Sequence, residues 1–237
     1  MKLELAKKPK SPTIIVGFPG FGLVGTITTE YIIEQLKAEL IGTIKCDDLP
    51  AMIAIHEGKV MQPIGVFYDK KNNIIILHVI TTVQGIEWKL AEIIVEMARE
   101  LQANTILSLE GVATPGAEEE KLTCFYYSNS EKFKKLFEAN NIKPLKEGII
   151  LGVTGALLID AEKVPLSCIF AETHSAMPDS KASAMVIDLI DKILGLKIKT
   201  EPLIEEAERF EKKLKSIMQQ SKAVAEEQIR KRLSYVG

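Results

Sequence analysis

The sequence TIIVGFPGFGLVG at residues 13–25 decides the fold. Its first four residues are β-branched, which is typical of a buried strand, and a glycine-rich turn follows them directly. Beyond the turn, apolar side chains recur at near-helical spacing, at Leu23, Ile27, Tyr31 and Leu36. The order strand, loop, helix is the repeating unit of an α/β protein.

The alternation of strand and helix continues on the C-terminal side of this unit. Short apolar runs at 40–46, 52–55, 64–68 and 74–79 predict strands, three of them hairpin-joined and antiparallel. Helical spacing returns at 85–101, a buried-type strand follows at 105–109, and Ser130 and either Asp179 or Ser180 are suitable caps for later helices. The pattern predicts a three-layer α/β/α sandwich with a mostly parallel mixed sheet and an antiparallel insert.

The composition changes after Gly195. Residues 201–233 are rich in Glu, Lys, Gln and Ala, and their one proline, Pro202, lies where a first helical turn tolerates it. We therefore predict a core domain at 1–197 and a helical extension at 198–237. An apolar seam with four-three spacing predicts a homo-oligomer interface on this long helix, formed by Leu203, Ala207, Phe210, Leu214 and Ile217.

Composition narrows the function classes. Lys and Arg number 30 against 32 Asp and Glu, so no global positive charge exists to attract nucleic acid. No apolar run reaches the roughly 18 residues that a membrane span requires. The three cysteines lie far apart without a metal-type spacing, which favours reduced thiols and a cytoplasmic protein.

The glycine-rich turn also matches a cofactor motif. Residues 20–25 satisfy the GxGxxG pattern, and Asp47 and Asp48 follow a little over 20 residues later, as in dinucleotide-binding folds. Here, however, residues 17–19 separate the motif from its strand, and hairpin-like strands follow the acidic pair. We favour a structural turn formed by Gly17, Gly20, Gly22 and Gly25, and keep dinucleotide binding as an alternative.

Other candidate chemistry is sparse. Glu172 and His174 follow a predicted strand at its carboxyl end, where α/β sheets place their sites. These two residues could move a proton or contribute to a metal site, yet they are fewer ligands than zinc requires. No nucleophile elbow or phosphate-binding loop of the GxxxxGK type occurs. We predict no catalytic residue, no metal and no cofactor.

Several ordered motifs carry a family resemblance. The stretch at 15–25 resembles the opening motif of the proteasome assembly chaperone family, and the segments at 49–58, 147–158, 171–179 and 201–203 resemble its archaeal members in the same order. The resemblance implies a nucleoside-phosphorylase-like sandwich, self-association, and binding of protein partners such as proteasome α subunits. It also leaves open an enzyme of nucleoside-phosphorylase type, with phosphate at the glycine loop and chemistry at Glu172 or His174.

The end of the sequence departs from that family pattern. Members that dock on proteasome α rings resemble activators with tyrosine next to last, whereas here Tyr235 is third from last. One extra residue shifts the tyrosine by about 3.3 Å relative to the terminus. We still expect the tail to bind a protein partner, which is either the proteasome α subunits or another assembly-related protein, through Leu233, Tyr235, Val236 and Gly237.

Overall fold

The computed structural model describes residues 1–49, 53–56, 58–113, 123–160, 164–173 and 177–205. The strands are β1 (Lys2–Leu5), β2 (Thr13–Gly17), β3 (Glu39–Lys45), β4 (Ala54–His56), β5 (Lys59–Met61), β6 (Ile64–Asp69), β7 (Ile74–Val79), β8 (Thr105–Ala113), β9 (Cys124–Ser128), β10 (Lys143–Pro144) and β11 (Leu166–Thr173). The helices are α1 (Val24–Leu36), α2 (Glu87–Glu100), α3 (Glu131–Ala139), α4 (Gly152–Ile159) and α5 (Ser180–Leu194).

One large mixed sheet organises these elements. Its strand order is β1-β3-β6-β7-β2-β8-β11-β9-β10. Strands β7, β2, β8 and β11 form a parallel centre, and β10 is parallel to β9. The other four ladders of this sheet, among the described residues, are antiparallel. The prediction of an α/β fold is confirmed. The prediction that the sheet is mostly parallel is wrong, because short turns and added edge strands give it as many antiparallel ladders as parallel ones.

Helices cover both faces of the parallel centre. Ile14 and Val16 of β2 share one buried cluster with residues of α2 and α4. Successive strand residues point to opposite faces, so Ile15 faces the other layer, where α1 and α5 pack against each other. Strands buried on both faces have no polar alternation, which explains why five of the six residues of β7 are apolar.

The antiparallel insert consists of β3, β6 and β7, which lie between the edge strand β1 and the central strand β2. The carboxylate of Asp69 accepts hydrogen bonds from the backbone N–H groups of Lys71 (3.2 Å) and Asn72 (3.0 Å), which fixes the tight turn between β6 and β7. Strands β4 and β5 form a separate hairpin. Strand β1 was not predicted, because its four residues are mixed in polarity; it pairs antiparallel with β3 at the sheet edge.

The chain divides into two compact units, Met1–Lys199 and Thr200–Gly237. In the second unit the described residues are 200–205, with helix at 201–205. The predicted long helix at 201–233 therefore lies mostly outside the described residues. Within the described residues, no helix has both the length and the apolar character that crossing a membrane requires.

Candidate functional site

The glycine loop connects the carboxyl end of β2 to α1. Its residues Phe21–Leu23 form a single turn of 3-10 helix, and Gly22 has a φ of 62°. Leu23, the N-cap of α1, is also left-handed, with a φ of 49°. A side chain at Gly22 would be strained by that φ and would place its Cβ 2.6 Å from the hydroxyl of Thr173.

The loop also brings α1 directly against the end of β2. A Cβ at Gly17 would lie 2.1 Å from the carbonyl oxygen of Gly25. A Cβ at Gly25 would in turn lie 2.7 Å from the carbonyl oxygen of Leu109 in β8. At these two positions, hydrogen in place of a side chain is what allows the helix and two strands to approach this closely.

Asp179 joins the loop to the start of α5. As the N-cap of α5 it accepts a hydrogen bond from the N–H of Ala182 (2.9 Å), and its second oxygen accepts one from the Thr173 hydroxyl (2.7 Å). Its own backbone N–H donates to the carbonyl oxygen of Gly22 (2.8 Å). One aspartate thereby satisfies a helix terminus and holds the glycine loop against the end of β11.

The acidic pair expected of a dinucleotide site lies elsewhere in the sheet. Asp47 and Asp48 follow β3, and two strands, β6 and β7, separate β3 from β2. Asp48 forms an ion pair with Lys89 at 2.7 Å. In a dinucleotide fold the acidic residue follows the strand beside the glycine loop, so this arrangement does not assemble that site.

A cavity of about 650 Å³ lies beside the glycine loop, at the carboxyl ends of β8 and β11. The segment at 143–151 and the side chains of Phe21 and Phe125 form its walls. Glu110 and Glu172 are the acidic residues that the two strands contribute to its lining. The carboxyl end of parallel strands is the usual position for a ligand site in an α/β sheet.

Glu110 is the residue of this cavity that sequence reasoning missed. Its Oε2 accepts a hydrogen bond from the Thr154 hydroxyl (2.8 Å), which lies 3.0 Å from the Ser108 hydroxyl. Burial raises the pKa of Glu110 to about 7, although the hydrogen bond from Thr154 acts in the opposite direction. Glu110 directly follows the predicted apolar strand at 105–109, just as Glu172 follows a predicted strand. Its position at the carboxyl end of a strand is therefore the sequence signal that points to Glu110.

Of the predicted pair Glu172 and His174, the structure describes Glu172. The Glu172 carboxylate accepts hydrogen bonds from the backbone N–H of Thr123 (3.2 Å) and from its hydroxyl. These bonds join β11 to the start of β9. His174 lies outside the described residues, and within those residues no three His, Cys, Asp or Glu side chains cluster as a metal site would require.

His78 is a second buried titratable group near the glycine loop. It is the register partner of Gly17 across the β2–β7 ladder and is only 2% exposed. Its Nδ1 lies 2.9 Å from the Thr29 hydroxyl, while its Nε2 has no hydrogen-bond partner in the described structure. Burial lowers the pKa of His78 to about 4, so the ring is neutral at neutral pH.

Most large apolar side chains that the described residues expose lie at this same edge of the sheet. We define them as the carboxyl-edge patch: Phe21, Ile53, Ile55, Val60, Trp88, Ile149, Leu151 and Met177. Ile55 and Val60 are directly opposite each other in the β4–β5 hairpin. A two-stranded hairpin with exposed apolar side chains is marginally stable alone in water, so a covering surface would stabilise it.

The remaining predicted site residues are mostly outside the described structure. Leu203 lies in the helix at 201–205 and is buried. The rest of the predicted oligomer seam (Ala207, Phe210, Leu214 and Ile217) and the predicted partner-binding residues (Leu233, Tyr235, Val236 and Gly237) lie outside the described residues. Their roles stay predictions.

Known proteins share this fold along nearly the whole chain. The model of the PAC2 family matches residues 14–218. Pyrococcus furiosus PbaA, an archaeal homolog of proteasome-assembly chaperone, aligns with a TM-score of 0.83 at 30% identity, over 97% of each chain. Pyrococcus furiosus PbaB, an archaeal proteasome activator, shares the fold at a TM-score of 0.77 and 21% identity, over 92% of this chain and 98% of PbaB. An uncharacterized protein of Methanocaldococcus jannaschii is 29% identical over 213 residues, which is 89% of this chain and 87% of the relative.

Proposed function

The chain belongs to the PAC2 family, and on that premise we propose that it is an oligomeric protein-binding scaffold of the assembly-chaperone type and not an enzyme. The similarity to PbaA supports proteasome-related partners, proteasome α subunits or another assembly-related protein. In this proposal, the partner contacts are made by the carboxyl edge of the sheet and by the C-terminal helix and tail.

The carboxyl-edge patch is the observation that carries this proposal. Trp88 is 60% exposed, Ile55 71% and Ile149 89%, which is unusual for side chains of this size. Scattered exposed apolar residues require no explanation, but a group at one edge is typical of a surface that another protein covers. Aromatic anchors such as Trp88 are enriched among the residues that dominate binding energy.

The C-terminal extension supplies the second part of the proposal. An apolar seam through Ala207, Phe210, Leu214 and Ile217 would pair helices of neighbouring subunits, because a four-three spacing places these side chains on one stripe. Leu233, Tyr235 and Val236 would then add apolar groups to an otherwise polar tail, a composition suited to insertion into a partner's pocket.

Light scattering of the intact protein tests the scaffold. We expect a mass greater than that of one chain at micromolar concentration, persisting across salt conditions because apolar contacts are little screened. A monomer under all these conditions would contradict the oligomer. Thermal-shift measurements with phosphate, nucleosides and nicotinamide cofactors test the enzyme alternative. A scaffold should show no shift in melting temperature with any of them. An enzyme should be stabilised by its ligand, by about 2.7 kcal/mol at 100 times the dissociation constant.

A further inference from the structure

The cavity beside the glycine loop has the size and position of a small-molecule site. Its volume of about 650 Å³ falls within the roughly 300–1,000 Å³ typical of ligand pockets. Its described lining residues belong to β8, β9, β11, the glycine loop and the segment at 143–151, and Phe21, Ile149 and Leu151 are shared with the carboxyl-edge patch. Its ligand chemistry can therefore be inferred from the residues that line it.

The walls are mainly apolar. Phe21 of the glycine loop, Phe125 of β9, and Leu145 and Ile150 of the segment at 143–151 supply large apolar side chains to the lining. Aromatic and branched side chains in this arrangement suit a flat or compact apolar body, from which they exclude water. The walls alone do not select a charge.

Glu110 supplies the charge selection. One oxygen of its carboxyl group accepts the hydrogen bond from Thr154, and the other lies against the backbone of Gly20, where a Cβ would approach it to 2.5 Å. Within the described structure this second oxygen has no hydrogen bond, and no Lys, Arg or His forms an ion pair with the group. A partly buried carboxylate without a cation is costly, and a bound cation would remove much of that cost.

The charges at the rim do not oppose a cation. Among the described residues, Lys143 and Lys146 line the opening together with Glu147 and Glu172, so the two signs balance there. Lys143, Lys146 and Glu147 are exposed to solvent, which screens their effect inside the cavity. The deeper carboxyl group of Glu110 thus determines the sign of charge that the cavity prefers.

We propose that this cavity binds a small organic cation, an amine with an apolar or aromatic body, whose ammonium group pairs with Glu110. The apolar body packs between Phe21, Phe125 and the segment at 143–151. The Thr154 hydroxyl holds the carboxyl group in place for the incoming cation. A neutral or anionic molecule with the same body would leave the carboxylate unpaired.

Three molecules with one indole body test the charge requirement. Tryptamine, tryptophol and indole-3-acetate carry a cation, a neutral hydroxyl and an anion on the same ring system. Isothermal titration at mildly alkaline pH, where carboxylate and ammonium are both charged, gives their affinities for the full-length protein. We expect tryptamine to bind at least about tenfold more tightly than tryptophol, and indole-3-acetate not to bind.

Two variants locate the binding site. Glu110→Gln keeps the shape and can still accept from Thr154, and it should reduce tryptamine affinity at least about tenfold while leaving tryptophol affinity unchanged. Glu92→Gln, which removes an exposed charge on α2 outside the cavity lining, should leave both affinities unchanged. Equal affinities of tryptamine and tryptophol for the unaltered protein, absence of tryptamine binding, or full tryptamine affinity in Glu110→Gln would each overturn the proposal.

Discussion

The hydroxyl of Thr154 donates a 2.8 Å hydrogen bond to the carboxyl group of Glu110 and joins the first turn of α4 to β8. The bond orients the carboxyl group, yet burial still dominates and holds its pKa at about 7. A carboxyl group with a raised pKa makes the folded protein less stable at neutral pH than a neutral group of the same shape would. The reason is that the carboxyl group ionises more readily in the unfolded chain than in the folded protein.

Replacing Glu110 with glutamine should therefore stabilise the protein at neutral pH. The carboxyl pKa is about 7 in the folded protein and near 4.5 unfolded, so its contribution to stability is full below pH 4.5 and falls as pH rises to about 7. The difference corresponds to at most about 3 kcal/mol. Urea unfolding of both proteins should show the Glu110→Gln variant gaining stability near neutral pH and little below pH 4.5. Equal stability of the two proteins at all pH values would contradict the buried carboxyl group.

His78 should produce a pH dependence of the opposite sign. Its pKa is lowered from 6.5 to about 4, so its contribution is fully present above pH 6.5 and is lost as pH falls to about 4. The loss is about 3 kcal/mol at most. In the unaltered protein, the stability lost through His78 as pH falls partly cancels the stability gained through Glu110. The cancellation occurs over the pH range in which both groups titrate. His78→Gln should lower stability overall but remove this acid-dependent loss, as measured by urea unfolding at several pH values. A variant that loses stability over this range as steeply as the unaltered protein would show that His78 does not titrate in this way.

Gly22→Ala should lower the free energy of unfolding by more than the cost of a left-handed φ alone, because the added methyl group would also approach neighbouring side chains. Gly195 is a matched control, because its φ is 68° and no atom lies within 4 Å of the position that a methyl group would take, whereas Gly22 also meets Thr173 and Asp179. The control substitution should cost about 1 kcal/mol and Gly22→Ala clearly more, about 2–3 kcal/mol. Thermal unfolding of the two variants measures the difference. Equal losses would mean that the contacts of Gly22 with Thr173 and Asp179 do not constrain the loop.

Phe210→Glu should shift the assembly toward smaller species. The substitution places a charge on the predicted apolar seam, where it would be buried between helices. Ser216→Glu adds the same charge to the same predicted helix but off the seam, so it should leave the mass unchanged. Light scattering compares the three proteins. An unchanged mass for Phe210→Glu would move the oligomer contact away from this seam and toward the carboxyl-edge patch.

The sequence was most informative where one local rule applied without competition. The largely apolar runs identified the central strands, and Asp179, one of two predicted caps, is the N-cap of α5. Strand β1 was missed because an edge strand of four residues has no strong pattern, and the balance of parallel and antiparallel pairs depends on contacts far apart in the chain. The role of Glu110 depends on Thr154, 44 residues away, a separation that no local motif reveals.

The affinity of the protein for purified proteasome α subunits tests the central claim, capture of a protein partner through the tail. Removal of residues 235–237 should leave the oligomer mass and melting temperature unchanged but weaken binding at least about tenfold, or 1.4 kcal/mol. Tyr235→Ala should reproduce most of that loss, because a buried tyrosine can contribute about 2 kcal/mol, whereas Ser234→Ala should not. Undiminished affinity after removal of residues 235–237 would contradict the role of the tail and leave the carboxyl-edge patch as the binding surface.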